Sequence, residues 1–113
     1  MRGEGEAARA RFEEALAHDA EAAGLDAVEI GTGGFPGHDH IDPDALLASA
    51  DKAREYRQRV ADHGLEICAL SCHSNPLHPN KAVAAEADAL IRKTLRLAEA
   101  LEVGTVVTFS GCP

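Results

Sequence analysis

The apolar residues of three segments recur at the three- and four-residue spacing of an amphipathic helix. These helical segments span residues 6–23, 43–63 and 80–101, the second with a predicted break near Ser49. Each precedes a short run rich in Val, Ile or Leu, at residues 25–30, 65–73 and 105–110. The pattern therefore predicts three helices that alternate with three strands, which is the order of a parallel α/β sheet.

A glycine closes each helical segment, and these glycines, Gly24, Gly64 and Gly104, lie 40 residues apart. Glycine commonly ends a helix because it adopts a left-handed conformation without a Cβ clash. Helical solenoids have a similar period, but their repeats lack a Val- and Ile-rich strand. The repeat therefore favours βα units in a parallel sheet.

The second strand leads into a loop with several polar side chains. Alternation along the strand predicts one face with Ile67, Ala69, Ser71 and His73, and another with Cys68, Leu70 and Cys72. Functional residues of parallel sheets and barrels lie at the carboxyl ends of strands, so His73 is a candidate site residue, with a hydrogen-bonded structural histidine as the alternative. Asn75 and His78 follow in the loop and are candidates for the same site, unless they only cap the next helix.

Two further polar groups fall near the first strand. Glu29 lies on its predicted interior face, where a carboxylate needs either a polar site or an ion-pair partner. His38 and His40 flank Asp39 in the Gly-rich loop that follows. Neutral imidazoles bind metal ions, so His38 and His40 are candidate metal ligands, with solvated loop side chains as the alternative.

The cysteines do not predict a metal centre. Cys68 and Cys72 are four residues apart on one strand, a separation of about 13 Å, which is too long for a disulfide or a shared zinc ion. We expect buried, reduced thiols at both positions. Reduced thiols, in a chain whose N-terminal residues show no apolar signal core, predict a cytoplasmic location.

Composition limits the partners. The 113 residues, 45% of them hydrophobic, are enough for one domain with a modest core. Eleven Lys and Arg against 19 Asp and Glu give a net charge of -8, which argues against binding to nucleic acid. The sequence has no apolar window of about 20 residues, which argues against insertion into a membrane.

Three motifs carry a resemblance to a known family. They are GLDAVEIGTGGFPG at residues 24–37, LSCHSNPLHP at 70–79 and VVTFSGCP at 106–113. They resemble the sugar phosphate isomerase/epimerase family, which belongs to the xylose isomerase-like TIM barrels and is related in fold to endonuclease IV. The motif at 70–79 is the most specific of the three.

The resemblance implies a partial (β/α)8 barrel, an N-terminal fragment with about three parallel strands and three helices and with the first strand missing. Residues 1–10 are then expected to be disordered or frayed, and residues 11–113 to form the N-terminal part of the barrel. Family members bind a divalent metal, Mn, Mg, Co or Zn, through residues on later strands, so we expect this fragment to bind none. The substrate-facing residues that the resemblance implies are Glu29, His73, Asn75, His78 and Ser110.

Three functional hypotheses follow. The first is a metal-dependent aldose–ketose isomerase or epimerase of carbohydrate metabolism, acting on a small sugar or sugar phosphate through an enediolate, with His73 as the best catalytic candidate. The second is an endonuclease IV-like phosphodiesterase, which the acidic balance disfavours. The third is a truncated barrel that is inactive alone, because three strands cannot close a barrel. Homo-oligomerisation is left open.

Overall fold

The computed structural model describes residues 4–113, with side chains at all of these positions except 4–6, 8 and 21. The helices in this range are α1 (Glu4–Glu14), α2 (Pro43–Ala48), α3 (Ala50–Asp62) and α4 (Lys81–Ala100), and a π-helical segment, Ala15–Glu21, continues α1. The strands are β1 (Ala27–Gly34), β2 (Glu66–His73) and β3 (Val106–Thr108). Within the described range they form a three-stranded parallel sheet in the order β1-β2-β3, which confirms the predicted α/β class and partial barrel.

The first helix starts earlier than predicted. It includes residues 4–10, which we expected to be disordered or frayed, and its many Ala residues are the strongest helix formers. Residues 1–3 of that segment lie outside the described residues. Phe12 and Leu16 are buried, and Glu13 is partly exposed. Its carboxylate forms an ion pair with Arg59 of α3 at 2.7 Å and therefore ties the first helix to the third.

The second helical region breaks at Ser49, as predicted. Ser49 has an extended backbone, and its hydroxyl accepts a hydrogen bond from the Lys52 amide at 3.3 Å. Asp42 caps α2 in the same way through the Ala45 amide at 3.2 Å, with Pro43 in the first turn. The region therefore forms two helices, each with its own N-cap, instead of one continuous helix.

Two of the three predicted glycine caps are confirmed. Gly24 and Gly64 have φ values of +74° and +72° at helix ends. The third prediction, Gly104, is wrong, because Glu102 occupies the left-handed position with φ +55°. The amide of Val103, the residue after Glu102, donates a hydrogen bond to the Ala98 carbonyl at 2.8 Å, as in a Schellman motif at a helix C-terminus.

The first strand is longer than predicted and the third is shorter. β1 continues through Gly31–Gly34 instead of ending at Ile30, because its backbone stays paired with β2 up to His73. β3 ends at Thr108 instead of Ser110. Residues 31–34 therefore belong to the sheet, and residues 109–113 follow it as irregular chain.

A β-bulge at Cys68 changes the two faces of β2. The pairing with β1 passes from Ile67 directly to Ala69, so Cys68 is an extra residue in the ladder. Ile67 consequently packs against the same core as Leu70, and Cys68 is exposed, with its thiol bonded to the Val28 carbonyl. The predicted faces of Ile67 and Cys68 and the predicted burial of Cys68 are wrong, whereas the burial of Cys72 is confirmed.

The helices and strands share one contiguous apolar core in the described part of the chain. Its least exposed members, Leu70, Leu97 and Leu101, come from β2, α4 and the residue that ends α4. Thr94 of α4 is also buried, and its hydroxyl lies 2.9 Å from the Thr32 hydroxyl of β1. None of the helices that the structure describes is long and apolar enough to span a membrane.

Candidate functional site

The carboxyl ends of β1 and β2 lie side by side and form one rim. Gly34 pairs with His73, and the Phe35 amide donates to the His73 carbonyl at 2.9 Å. Gly34 has φ +71°, and a Cβ there would lie 2.2 Å from the same carbonyl oxygen. Only glycine lets the chain turn this closely over His73, and the turn places Phe35 at the rim.

His73 lies at the end of β2, where the sequence placed it. Its ring centroid is 4.4 Å from that of Phe109, whose ring is in turn 6.2 Å from Phe35. The Nδ1 atom is buried and has no hydrogen-bond partner among the described residues. Aromatic contact, and not a hydrogen bond through Nδ1, therefore orients this imidazole.

His78 is held differently. Its Nδ1 accepts a hydrogen bond from the Asn80 amide at 3.0 Å, and its own amide donates to the Asn75 carbonyl at 3.3 Å. An imidazole that accepts through Nδ1 carries its proton on Nε2. His78 can therefore offer an N–H donor to a ligand.

His73 and His78 line the same open groove, which has a volume of about 490 Å³. Glu86 of α4 adds a carboxylate, and Phe35 and Leu90 are among the apolar residues of the walls. None of the described residues that line this groove is Lys or Arg. The groove thus combines hydrogen-bonding groups with aromatic and aliphatic surface and has no fixed positive charge.

A second groove adjoins the first and contains Ser110. It shares Phe35 and Asn75 with the first groove and includes Phe109 on its wall. The structure thus brings four of the five predicted substrate-facing residues, namely His73, Asn75, His78 and Ser110, to one rim. Asn75 has a role that the sequence did not suggest, because its amide is bonded to the backbone of Cys112.

The fifth residue, Glu29, lies away from this rim. Because β1 continues to Gly34, Glu29 is in the first half of the strand, where it pairs with Ala69. Ala69 precedes His73 by four residues, a distance of about 13 Å along a strand. The side chain is exposed, and its role in substrate binding stays a prediction.

His38 and His40 are also not brought to the rim groove. The ring of His40 lies 5.9 Å from Phe12, and its carbonyl accepts a hydrogen bond from the Tyr56 hydroxyl at 2.9 Å. Among the described residues, no group of three or more His, Cys, Asp or Glu side chains could hold a metal ion.

The sequence analysis missed Phe35, Phe109 and Glu86. Phe35 and Phe109 directly follow the observed ends of β1 and β3, but the predicted strands ended at residues 30 and 110, so no predicted strand end pointed to them. Phe35 is 83% exposed and Phe109 48%, and their rings lie 6.2 Å apart, so together they expose apolar surface at the rim. Glu86 gave no local signal, because it lies in the middle of the predicted α4 pattern.

Parallel strands joined through helices, with polar side chains at the carboxyl ends, are common to (β/α) barrels and open parallel sheets. The family model of the xylose isomerase-like TIM barrel matches residues 17–113, and the chain belongs to this family. It is also 37% identical over 90 residues to the uncharacterized protein YfiH of Bacillus subtilis (strain 168). That match covers 80% of this chain and 28% of YfiH, so the chain spans less than a third of this relative's length.

Proposed function

We propose that this chain contributes the substrate-contacting rim of an isomerase or epimerase that acts on a small sugar or sugar phosphate. The observation that carries the proposal is the groove in which His73, His78 and Glu86 meet at the carboxyl ends of parallel strands. Membership of the xylose isomerase-like family supports the same placement of a site.

Aldose–ketose isomerisation and epimerisation both remove a proton next to a carbonyl, and negative charge then develops on the carbonyl oxygen. Hydrogen-bond donors that point at this oxygen lower the barrier. His78 has a suitable donor at Nε2, and Glu86 can accept hydrogen bonds from sugar hydroxyls. His73 lines the same groove and contacts Phe109, and from there it can orient a hydroxyl or polarise the carbonyl.

A divalent metal, Mn, Mg, Co or Zn, is expected for the full family barrel, where it would supply Lewis-acid stabilisation of the enediolate oxygen. The described residues do not fit a complete site for such an ion, because no suitable group of three ligands converges. The role we assign to this chain is therefore substrate positioning.

Charge favours a sugar over a nucleic acid as the ligand. The groove contains a carboxylate and no described Lys or Arg, and the chain carries a net charge of -8. A phosphodiester backbone needs several cations for binding, whereas sugar hydroxyls need donors and acceptors. The free thiols of Cys68, Cys72 and Cys112 support a cytoplasmic setting as part of the same proposal.

The test is binding and proton exchange with the 113-residue chain. Aldoses, ketoses and their phosphates are titrated while the histidine ring resonances are followed by NMR, and His73→Gln, His78→Gln and the exposed control His18→Gln are compared. We expect each rim variant to weaken sugar binding about tenfold, the loss of one hydrogen bond of roughly 1.4 kcal/mol, and the control to bind normally.

Incubation of the bound sugar with this chain in deuterated water and Mn²⁺ then separates positioning from chemistry. We expect no deuterium at the carbon next to the carbonyl, because the described residues bring no three metal ligands together. Deuterium at that carbon would show that this chain carries isomerase or epimerase chemistry as well as the binding rim. Equal sugar affinity in the unsubstituted chain, His73→Gln and His78→Gln would refute the proposed site.

A further inference from the structure

The side chain of Asn75 joins two segments that are far apart in the sequence. Its Oδ1 accepts hydrogen bonds from the Cys112 amide at 2.8 Å and the Leu77 amide at 3.1 Å, and its Nδ2 donates to the Cys112 carbonyl at 2.7 Å. Both lone pairs of the amide oxygen and one of the two N–H groups are therefore in use. The Asn75 side chain thus binds both the N–H and the C=O of Cys112, as a residue of a neighbouring strand would.

Gly111, the residue before Cys112, allows the contact between Asn75 and Cys112. It has φ +106°, a conformation that L side chains rarely adopt. A Cβ there would lie 3.0 Å from Asn75 Oδ1, 3.0 Å from Leu77 Cγ and 3.1 Å from Pro76 Cδ. A side chain at position 111 would crowd the β2–α4 loop, so glycine lets the chain after β3 lie against it.

The segment held in this way carries Phe109. Pairing of β3 with β2 ends at Thr108 in the described range, so the ladder does not hold residues 109–112. The Phe109 ring nevertheless lies against His73, at 4.4 Å between ring centroids, although Phe109 is half exposed. The bonds from Asn75 to Cys112, three residues after Phe109, provide the anchor that the ladder lacks.

We propose that Asn75 is a positioning residue for His73. It fixes residues 109–112, and through them it keeps Phe109 against an imidazole whose Nδ1 has no hydrogen-bond partner among the described residues. The functional importance of this arrangement rests on the proposed role of His73 in substrate binding. In this positioning role Asn75 acts through the backbone of Cys112, whereas its predicted contact with the substrate is a separate expectation.

The contact between Phe109 and His73 can be measured without a substrate. An aromatic ring at this distance shifts the ring-proton resonances of His73 in an NMR spectrum, and His73→Gln assigns those resonances among the six histidines. The spectrum of Phe109→Ala gives the positions of the His73 resonances in the absence of the Phe109 ring. We expect Asn75→Ala to move the His73 resonances to the positions seen in Phe109→Ala.

A conservative variant and a matched control separate positioning from general stability. Asn75→Asp keeps the acceptors for Cys112 and Leu77 but loses the donor, so we expect an intermediate shift. Asn80→Ala removes another asparagine that bonds backbone amides nearby, those of Ala82 and Val83 at the start of α4, and should leave His73 unchanged.

The proposal is overturned if Asn75→Ala retains the His73 resonances of the unsubstituted chain while Phe109→Ala changes them, or if Phe109→Ala changes nothing. Should Asn75→Ala not fold by circular dichroism, Gly111→Ala and Asn75→Asp decide the question, and unchanged His73 resonances in both refute it. If Asn75→Ala moves the His73 resonances but no sugar binds to the chain, the positioning role stands and the proposed function fails.

Discussion

Replacement of Glu102 by glycine is expected to stabilise the chain, although it removes an ion pair. Glu102 directly follows Leu101, the C-cap of α4, in a left-handed conformation, φ +55°, in which a non-glycine residue is strained by about 1–2 kcal/mol. Glycine relieves this strain but gives back roughly 0.5–1 kcal/mol through the larger entropy of the unfolded chain. The backbone terms therefore favour glycine by about 0.5–1 kcal/mol.

The ion pair that is lost joins Glu102 to Arg57 of α3. The two side chains are 69% and 45% exposed, so solvent screens the pair and its loss costs only a few tenths of a kcal/mol, roughly 0.3. Glu102→Gln removes the pair without changing the backbone requirement and is the matched control. We expect the order of stability to be Glu102→Gly, then the unsubstituted chain, then Glu102→Gln.

Urea unfolding followed by far-UV circular dichroism measures these differences in the free energy of unfolding. Thermal unfolding should give the same order, with a shift in Tm of about 4 °C per kcal/mol for a chain of this size. Two glycine variants check the assignment of the helix ends. Gly64→Ala, at φ +72°, should destabilise by about 1 kcal/mol. Gly104→Ala should instead stabilise by about 0.4–1 kcal/mol, because Gly104 has ordinary φ and open space around its Cβ position, and Ala lowers the entropy of the unfolded chain. The reasoning is refuted if Glu102→Gly is no more stable than Glu102→Gln.

Three further outcomes are expected. Gly34→Ala should destabilise by at least about 2 kcal/mol in urea unfolding, and by more than Gly24→Ala, because both have positive φ but only the Cβ at position 34 would meet a backbone oxygen; equal losses would contradict this. Burial raises the pKa of Tyr56, with a smaller opposing effect of Arg59, so the folded state keeps a proton that the unfolded state loses. Stability should therefore be fully present below pH 10 and fall above it by about 1.4 kcal/mol per pH unit more than in Tyr56→Phe; tyrosinate absorbance of this single tyrosine in the folded chain would argue against it. Calorimetric titration with Mn²⁺ and Zn²⁺, with circular dichroism alongside, should show no tight stoichiometric binding, since no group of three ligands converges in the described residues, and tight binding would show that the loop histidines build a site.

Local features predicted much of the fold. The positions of α2, α3 and α4 follow from apolar spacing and from caps such as Asp42 and Ser49, which act within three residues of themselves. The order of strands and helices follows from the repeat of helix, glycine and strand. Burial of Tyr56 and Val60 follows from the same spacing.

The errors in the predicted fold have non-local causes. The bulge at Cys68 depends on how β2 pairs with β1, and β1 continues to Gly34 because β2 lies beside it. The left-handed position at Glu102 depends on where α4 stops, and glycine at position 104 gave a misleading signal. Pairing between strands about 40 residues apart therefore decided the bulge at Cys68 and the length of β1, whereas the error at Gly104 concerns only the end of α4.

Local and non-local features can also be separated in the candidate site. Strand alternation and loop residues are local properties, so the sequence alone predicted that His73 ends a strand and that Asn75 and His78 follow it in a Pro-bounded loop. The contact of Phe109 with His73 and the bonds of Asn75 to Cys112, 37 residues away, are seen only in the folded chain. Parallel strands bring their carboxyl ends together through helical crossovers, so the contacts at the rim join residues that no local pattern relates.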